Sequence, residues 1–81
     1  MPTILFGNNV QSSVGVVFGN YVLVGANTKI GYKAAIGSRV IIGDNVIIGD
    51  NVLIGDHVII EDHVVICDNL VVCSSSTIKF S

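Results

Sequence analysis

From Ile36 to Val71 the chain repeats one six-residue pattern: IGSRVI, IGDNVI, IGDNVL, IGDHVI, IEDHVV and ICDNLV. An aliphatic residue recurs every six positions, at Val24, Ile30, Ile36, Ile42, Ile48, Ile54, Ile60, Ile66, Val72 and Ile78. The register extends back to Phe18 and Phe6, and Ser12 is the one polar residue at these positions. A period of six fits neither a helix nor plain strand alternation. It predicts three strand residues followed by three turn residues, repeated as a coil of short parallel strands.

One hexad shows how such a coil is built. In the segment Val46 to Asn51, the strand is Val-Ile-Ile and the turn is Gly-Asp-Asn. Side chains alternate along a strand, so Val46 and Ile48 should point inward and Ile47 outward. Gly49 should let the backbone bend sharply at the corner, while the Asp and Asn should bond to local backbone. Three such units close a triangle, so each residue lies one coil below the residue 18 positions later.

The outward positions form three columns, of which two are almost wholly apolar. The first column contains Leu23, Ile41, Ile59 and Thr77, the second Gln11, Lys29, Ile47 and Val65, and the third Val17, Ala35, Leu53 and Val71. Two apolar faces form a larger patch than monomers usually leave exposed. A threefold assembly needs two different surfaces on each subunit, so the pattern favours a homotrimer.

Length and composition narrow the function classes. The 81 residues suit a single β-helix domain over residues 1–81, whose coils stabilise one another. Hydrophobic residues make up 51% of the chain, but polar turns keep every apolar stretch far shorter than a membrane span. The start lacks a secretory signal pattern, so a cytoplasmic location is expected. The net charge of −2 and the four dispersed basic residues argue against nucleic-acid binding.

The repeated pattern [IV]-G-x-x-[VAT]-x, as in IGSRVI and IGDNVI, closely resembles the hexapeptide-repeat acyltransferases. The resemblance implies an all-β fold, a single-stranded left-handed parallel β-helix or β-solenoid, here of about four triangular coils. It also implies trimers that bind acyl-coenzyme A between subunits and use a histidine as general base. Non-catalytic scaffold subunits share these repeats, so the fold does not carry the function with it.

His57 and His63 are the only histidines and therefore the candidate catalytic bases. Six residues apart, they should lie on different corners of one prism, too distant to share a metal within a subunit. No metal site is therefore predicted. Three interpretations of the pair remain open: both are exposed turn histidines without a role, one of them is the acyl-transfer base, or one of them binds a metal together with a ligand from a neighbouring subunit.

Other turn residues also form columns. Asn9, Asn27 and Asn45 share a corner, where their side-chain amides could bond along the column. Stacked turn aspartates should cap local backbone amides, with weak calcium binding as the alternative. Cys67 and Cys73 lie on neighbouring corners and should be free thiols in place of glycine, with a redox role as the less favoured reading.

The register from Phe6 to Ile78 is almost unbroken by inserted loops or accessory elements of the kind found in the enzymes. The leading interpretation is therefore a trimeric assembly or binding scaffold, with no certain cofactor and an unknown small-molecule ligand. The alternatives are a minimal O- or N-acetyltransferase that uses acetyl-coenzyme A, with sites between subunits, or a folded remnant of one. Open strand edges need caps, and the candidates are residues 1–5, where Pro2 blunts the edge, and residues 77–81, where Phe80 could fold over the last coil. Poor capping would allow prisms to stack end to end.

Overall fold

In the computed structural model, residues 3–79 are described and form a coil of short parallel strands. The strands are β1 (Ile4–Phe6), β2 (Gln11–Ser12), β3 (Val17–Phe18), β4 (Val22–Val24), β5 (Lys29–Ile30), β6 (Ala35–Ile36), β7 (Ile41–Ile42), β8 (Ile47–Ile48), β9 (Leu53–Ile54), β10 (Ile59–Ile60), β11 (Val65–Ile66), β12 (Val71–Val72) and β13 (Thr77–Ile78). No helix occurs among the described residues. The all-β class predicted from the period is confirmed.

The strands stack into three parallel sheets, one for each side of a triangular prism. The first sheet has the order β1-β4-β7-β10-β13, the second β2-β5-β8-β11, and the third β3-β6-β9-β12. Every pairing joins residues 18 apart, as in Ile48 with Ile30 and Ile66 with Ile48. The register is that predicted, and the architecture is a β-solenoid of about four coils, consistent with a left-handed β-helix.

The core is a stack of aliphatic side chains along the prism axis. Val46 and Ile48 are buried whereas Ile47 between them is 45% exposed, as the alternation predicts. The buried inward positions run from Val22 to Val72. Thr28 is the one buried polar residue in the described part of the chain, and its hydroxyl donates to the carbonyl of Gly43 at 3.0 Å. Each coil therefore covers the apolar side chains of the next.

The corner backbone differs from the sequence-based expectation. The third turn residue of each hexad adopts the left-handed conformation, with φ of 59° at Asn45, 58° at Asn51 and 60° at His57. Among the described glycines only Gly15 has a positive φ, and it occupies this same third position. Gly49 was expected to supply the sharp bend, and this expectation is wrong. The first-turn glycine is needed instead because a Cβ on it would meet the following coil.

The turn aspartates bond between coils rather than locally. Asp68 Oδ1 accepts the backbone N–H of Asp50 at 2.8 Å, and Asp50 Oδ1 accepts that of Tyr32 at 2.8 Å. Asp62, Asp44, Asp56, Ser38 and Ser74 make the same kind of bond to the coil before them. The predicted role in capping amides is thus right, but its local geometry is wrong. The side chains of the Asn column make no hydrogen bond with one another among residues 3–79, so the predicted amide ladder is not formed there.

No helix in the described residues has the length and apolar character needed to cross a membrane. Of the candidate end caps, residues 1–5 and 77–81, Pro2 and Phe80 lie outside the described residues, whereas Ile4–Phe6 forms β1 and Thr77–Ile78 forms β13. At the amino-terminal end the described coil leaves Phe6 half exposed, with its ring 5.6 Å from that of Phe18 in an edge-to-face arrangement.

Candidate functional site

The two histidines occupy corresponding places on successive corners. His57 and His63 are both third-turn residues, with φ of 60° and 65°, and both are exposed. The backbone N–H of His57 donates to Ser38 at 2.9 Å, and that of His63 donates to Asp44 at 3.0 Å. These bonds anchor the backbone to the preceding coil. No carboxylate hydrogen bond orients either imidazole within residues 3–79.

The corner that carries His57 also carries Arg39 one coil earlier and Tyr21 two coils earlier. The Arg39 guanidinium lies over the Tyr21 ring, 5.2 Å from its centroid, which is a cation–π contact. Both residues have a left-handed backbone, which holds their side chains at the same corner in successive coils. The cation and the phenol therefore interact with each other.

A shallow groove of about 320 Å³ lies where this corner meets the first sheet. Its lining is Thr3, Tyr21, Leu23, Arg39 and Ile41. Its surface is mainly apolar, and Arg39 contributes a cationic side chain to the lining. His57 is not part of this lining. The sequence column placed the three polar residues together, whereas the structure joins only Arg39 and Tyr21 at the groove.

A second groove of about 380 Å³ lies on the same sheet near the opposite corner, lined by Ile41, Gly43, Ile59, Ile60, Glu61 and Asp62. His63, which directly follows Asp62, does not line it. Neither groove in the described part of the prism combines a candidate base with an enclosed apolar surface.

Metal ligands are also dispersed. No group of three or more His, Cys, Asp or Glu side chains among residues 3–79 could hold a metal ion. The stacked turn aspartates, Asp44 with Asp62 at one corner and Asp50 with Asp68 at another, each use a carboxylate oxygen to accept a backbone N–H of the preceding coil. Cys67 and Cys73 are free and exposed thiols, as predicted.

The outward faces are the most extensive exposed feature of the prism. On the first sheet Leu5, Leu23, Ile41 and Ile59 are 57%, 42%, 45% and 42% exposed. On the third sheet Val17, Leu53 and Val71 are 62%, 50% and 63% exposed. The second sheet places Gln11 and Lys29 in the equivalent column and is therefore more polar. Two of the three faces thus expose apolar columns, as the sequence predicted.

Comparison with known proteins agrees with the repeat and the fold. Residues 45–79 match the family model described as bacterial transferase hexapeptide (six repeats). The strands before residue 45 continue the same pairing register. The predicted resemblance to the hexapeptide-repeat acyltransferase-like family is confirmed. No curated protein matches the sequence.

Among solved structures, the chain is similar to serine acetyltransferase isoform 3 from Entamoeba histolytica, crystallised in complex with cysteine. The TM-score is 0.60 and the identity 24%, over 96% of this chain and 33% of that one. The chain thus spans a third of the length of that enzyme. This likeness supports the fold. A Bacillus cereus protein provisionally described as an acetyltransferase aligns with 17% identity over 93% of this chain and 73% of that one, and its TM-score of 0.38 adds no further support.

Proposed function

We propose that this protein is a homotrimeric β-helix scaffold whose subunits associate through the first and third sheets. The observation that carries the proposal is the exposure of apolar side chains along two of the three faces, with Ile59 42% and Leu53 50% exposed. Such columns are larger than the scattered apolar residues found on most monomer surfaces.

The geometry of the prism suits a closed ring of three. The first and third sheets are different surfaces that meet at the corner of Tyr21, Arg39 and His57. In a threefold assembly, the first sheet of one subunit faces the third sheet of the next, which is a heterologous contact that closes after three copies. This arrangement leaves the second sheet, with Gln11 and Lys29, toward solvent.

The experiment is a mass measurement by light scattering across a concentration series. We expect a trimer of about 25 kDa, three times the 8.5 kDa chain, since each buried apolar Å² contributes about 25 cal/mol. Leu53→Glu should dissociate the trimer because it buries a carboxylate in an apolar contact. Ile47→Glu on the second sheet is the matched control and should leave the mass unchanged. A wild-type protein that is monomeric at every concentration would overturn the proposal.

Acetyl-coenzyme A dependent transfer is the competing function, with His57 or His63 as the base. It requires the site to be completed by a neighbouring subunit, because neither groove of the described chain includes a histidine. A scaffold should show no rise in melting temperature with acetyl-coenzyme A, whereas a ligand that prefers the native trimer must raise it. If binding is found, His57→Ala and His63→Ala should be compared on acetyl transfer to sugars, amines and serine. Loss of a true base lowers the rate by roughly 10²- to 10⁴-fold.

A further inference from the structure

One edge of the first sheet combines a cation with an exposed apolar surface. Arg39 lies at the corner between β6 and β7, and its side chain lines the groove of about 320 Å³ together with Leu23 and Ile41. Leu23 and Ile41 are partners in the pairing of β4 with β7, so their exposed side chains form one continuous apolar strip. A ligand in this groove would therefore contact an apolar surface and a guanidinium at the same time.

The charge of Arg39 is not neutralised within the described part of the chain. Its cation–π contact with Tyr21 attracts the guanidinium to the ring but supplies no negative charge. The acidic residue of this corner among residues 3–79 is Asp56, in the following coil, and its Oδ1 accepts the backbone N–H of Ser38 at 2.9 Å. Arg39 forms no ion pair with a carboxylate among the same residues. The guanidinium is therefore available to an anionic ligand.

The groove is held in place by the backbone of neighbouring coils. The N–H of Arg39 donates to the carbonyl of Asn20 at 2.7 Å, and the N–H of Leu23 donates to that of Val40 at 3.0 Å. Tyr21 then holds the Arg39 side chain beside the apolar strip. Because these parts are ordered before a ligand arrives, binding loses little conformational entropy in the protein.

The turn itself does not require tyrosine or arginine at this corner. Asparagine favours the left-handed conformation and takes the corresponding third turn position at Asn9, Asn27, Asn45, Asn51 and Asn69. Tyr21 and Arg39 adopt the same conformation, with φ of 61° and 59°, although neither residue type favours it. Residues held in sparsely populated conformations are often found where a ligand binds.

We propose that this groove binds a small monocarboxylate with an aliphatic chain, whose carboxylate pairs with Arg39 and whose chain lies along Leu23 and Ile41. A carboxylate suits the site because a planar guanidinium can donate two parallel hydrogen bonds to its two oxygens. The aliphatic chain removes the side chains of Leu23 and Ile41 from water. A groove of about 320 Å³ is at the lower end of the size range of small-molecule pockets, which restricts the ligand to a small molecule.

The site is formed by one chain, so this inference does not rest on the proposed trimer. In that trimer the first sheet faces the third sheet of the next subunit. The coil that contains Arg39 carries Ala35 on its third sheet, and Ala35 is the smallest residue of that outward column, between Val17 and Leu53. The proposed contact therefore leaves room for a small ligand over the groove.

The test titrates the full-length protein with octanoate and follows the backbone amide shifts by NMR. We expect saturable shifts at Tyr21, Leu23, Arg39 and Ile41, with a Kd of about 1 mM, the order expected for a ligand of so few atoms. Octanol has the chain without the charge and inorganic phosphate has charge without the chain, so each should bind roughly tenfold more weakly or less. Absence of saturable shifts with octanoate, shifts confined to other residues, or equal affinity for octanol or phosphate would each overturn the proposal.

Arg39→Gln should weaken octanoate binding by roughly tenfold or more, because the carboxylate loses its cationic partner. Lys29→Gln is the matched control, since it removes the same charge from the outward column of the second sheet. It should leave the Kd unchanged. Arg39→Lys keeps the charge without the planar pair of donors and should give an intermediate Kd. An unchanged Kd in Arg39→Gln, or an equal loss in Lys29→Gln, would contradict the assignment of Arg39.

Ile41→Ala and Ile47→Ala form a second matched pair. Both isoleucines are 45% exposed, but only Ile41 lines this groove. Ile41→Ala should raise the Kd for octanoate roughly threefold or more through the lost apolar contact, whereas Ile47→Ala should not change it. Circular dichroism should show that all variants fold, and equal effects of the two alanines would contradict the site. Leu53→Glu lies outside the groove and should bind octanoate even if it loses the trimer, which separates this result from the proposed function.

Discussion

Asp68 packs directly against Gly49 of the preceding coil and joins the two coils by a hydrogen bond. Asp68 Oδ1 accepts the backbone N–H of Asp50, the residue after Gly49, at 2.8 Å. A Cβ on Gly49 would contact this carboxylate and would lie 2.7 Å from the backbone nitrogen of Asp68. The same relation joins Gly31 to Asp50 and Gly43 to Asp62. The glycine of each Gly-Asp dipeptide therefore leaves space for the aspartate of the following coil, and that aspartate bonds to the backbone of the coil before it.

Gly49→Val should destabilise the protein by packing rather than by backbone torsion. The added side chain must displace the Asp68 backbone and its hydrogen bond, and overpacking of this kind costs about 1–3 kcal/mol or more. The free energy of unfolding in urea measures the loss. Cys67→Val places the same side chain at the equivalent turn position of the last described coil, where no following coil occurs within residues 3–79, and should cost much less. Equal losses at the two positions would contradict the close packing of Gly49 against Asp68.

Asp68→Ala should lower the free energy of unfolding by about 1 kcal/mol, because the N–H of Asp50 loses its acceptor in the protein. The bond lies at an exposed corner, where water can replace the lost acceptor, so the loss should stay near this value. Asp68→Asn keeps an amide oxygen and should retain most of the stability. The measurement is the urea midpoint of the wild type, Asp68→Ala and Asp68→Asn. An unchanged midpoint in Asp68→Ala would contradict the role of Asp68 in joining two coils.

Asn51→Val should be destabilising because Asn51 has a φ of 58°, in the left-handed region. An L-residue there costs roughly 1–2 kcal/mol, and a β-branched residue is a clear outlier. Asn51→Gly adopts this conformation freely and should stay close to wild type in thermal melts. If valine and glycine were tolerated alike, the corner assignment would be wrong.

Ile48→Ala should cost about 2–5 kcal/mol through the cavity that it leaves. The adjacent Ile47→Ala is the control, since Ile47 is 45% exposed and Ile48 is 2% exposed. Denaturant unfolding of the two variants, measured at a concentration where the assembly state is the same, compares identical deletions on opposite faces of one strand. Similar losses would contradict the assignment of Ile48 to the core and Ile47 to the surface.

The period of six determined most of this fold before any coordinates. Alternation within Val46, Ile47 and Ile48 specifies which side chains are buried, because a one-residue shift would place an apolar side chain in water and a turn residue in the core. Local patterning suffices in a solenoid since each coil contacts only its neighbours. The apolar faces around Leu53 and Ile59 followed from the same count.

Only the tertiary structure decided what each turn residue does. The sequence suggested that Gly49 bends the corner and that aspartates bond locally, but the bend lies at Asn51 and the aspartates reach the adjacent coil. A one-dimensional pattern cannot reveal contacts that depend on the exact stacking of two coils. For the same reason the column of Tyr21, Arg39 and His57 resolved into one cation–π pair and a histidine outside the groove. Side-chain direction at a left-handed corner is set by packing in three dimensions, not by position in the repeat.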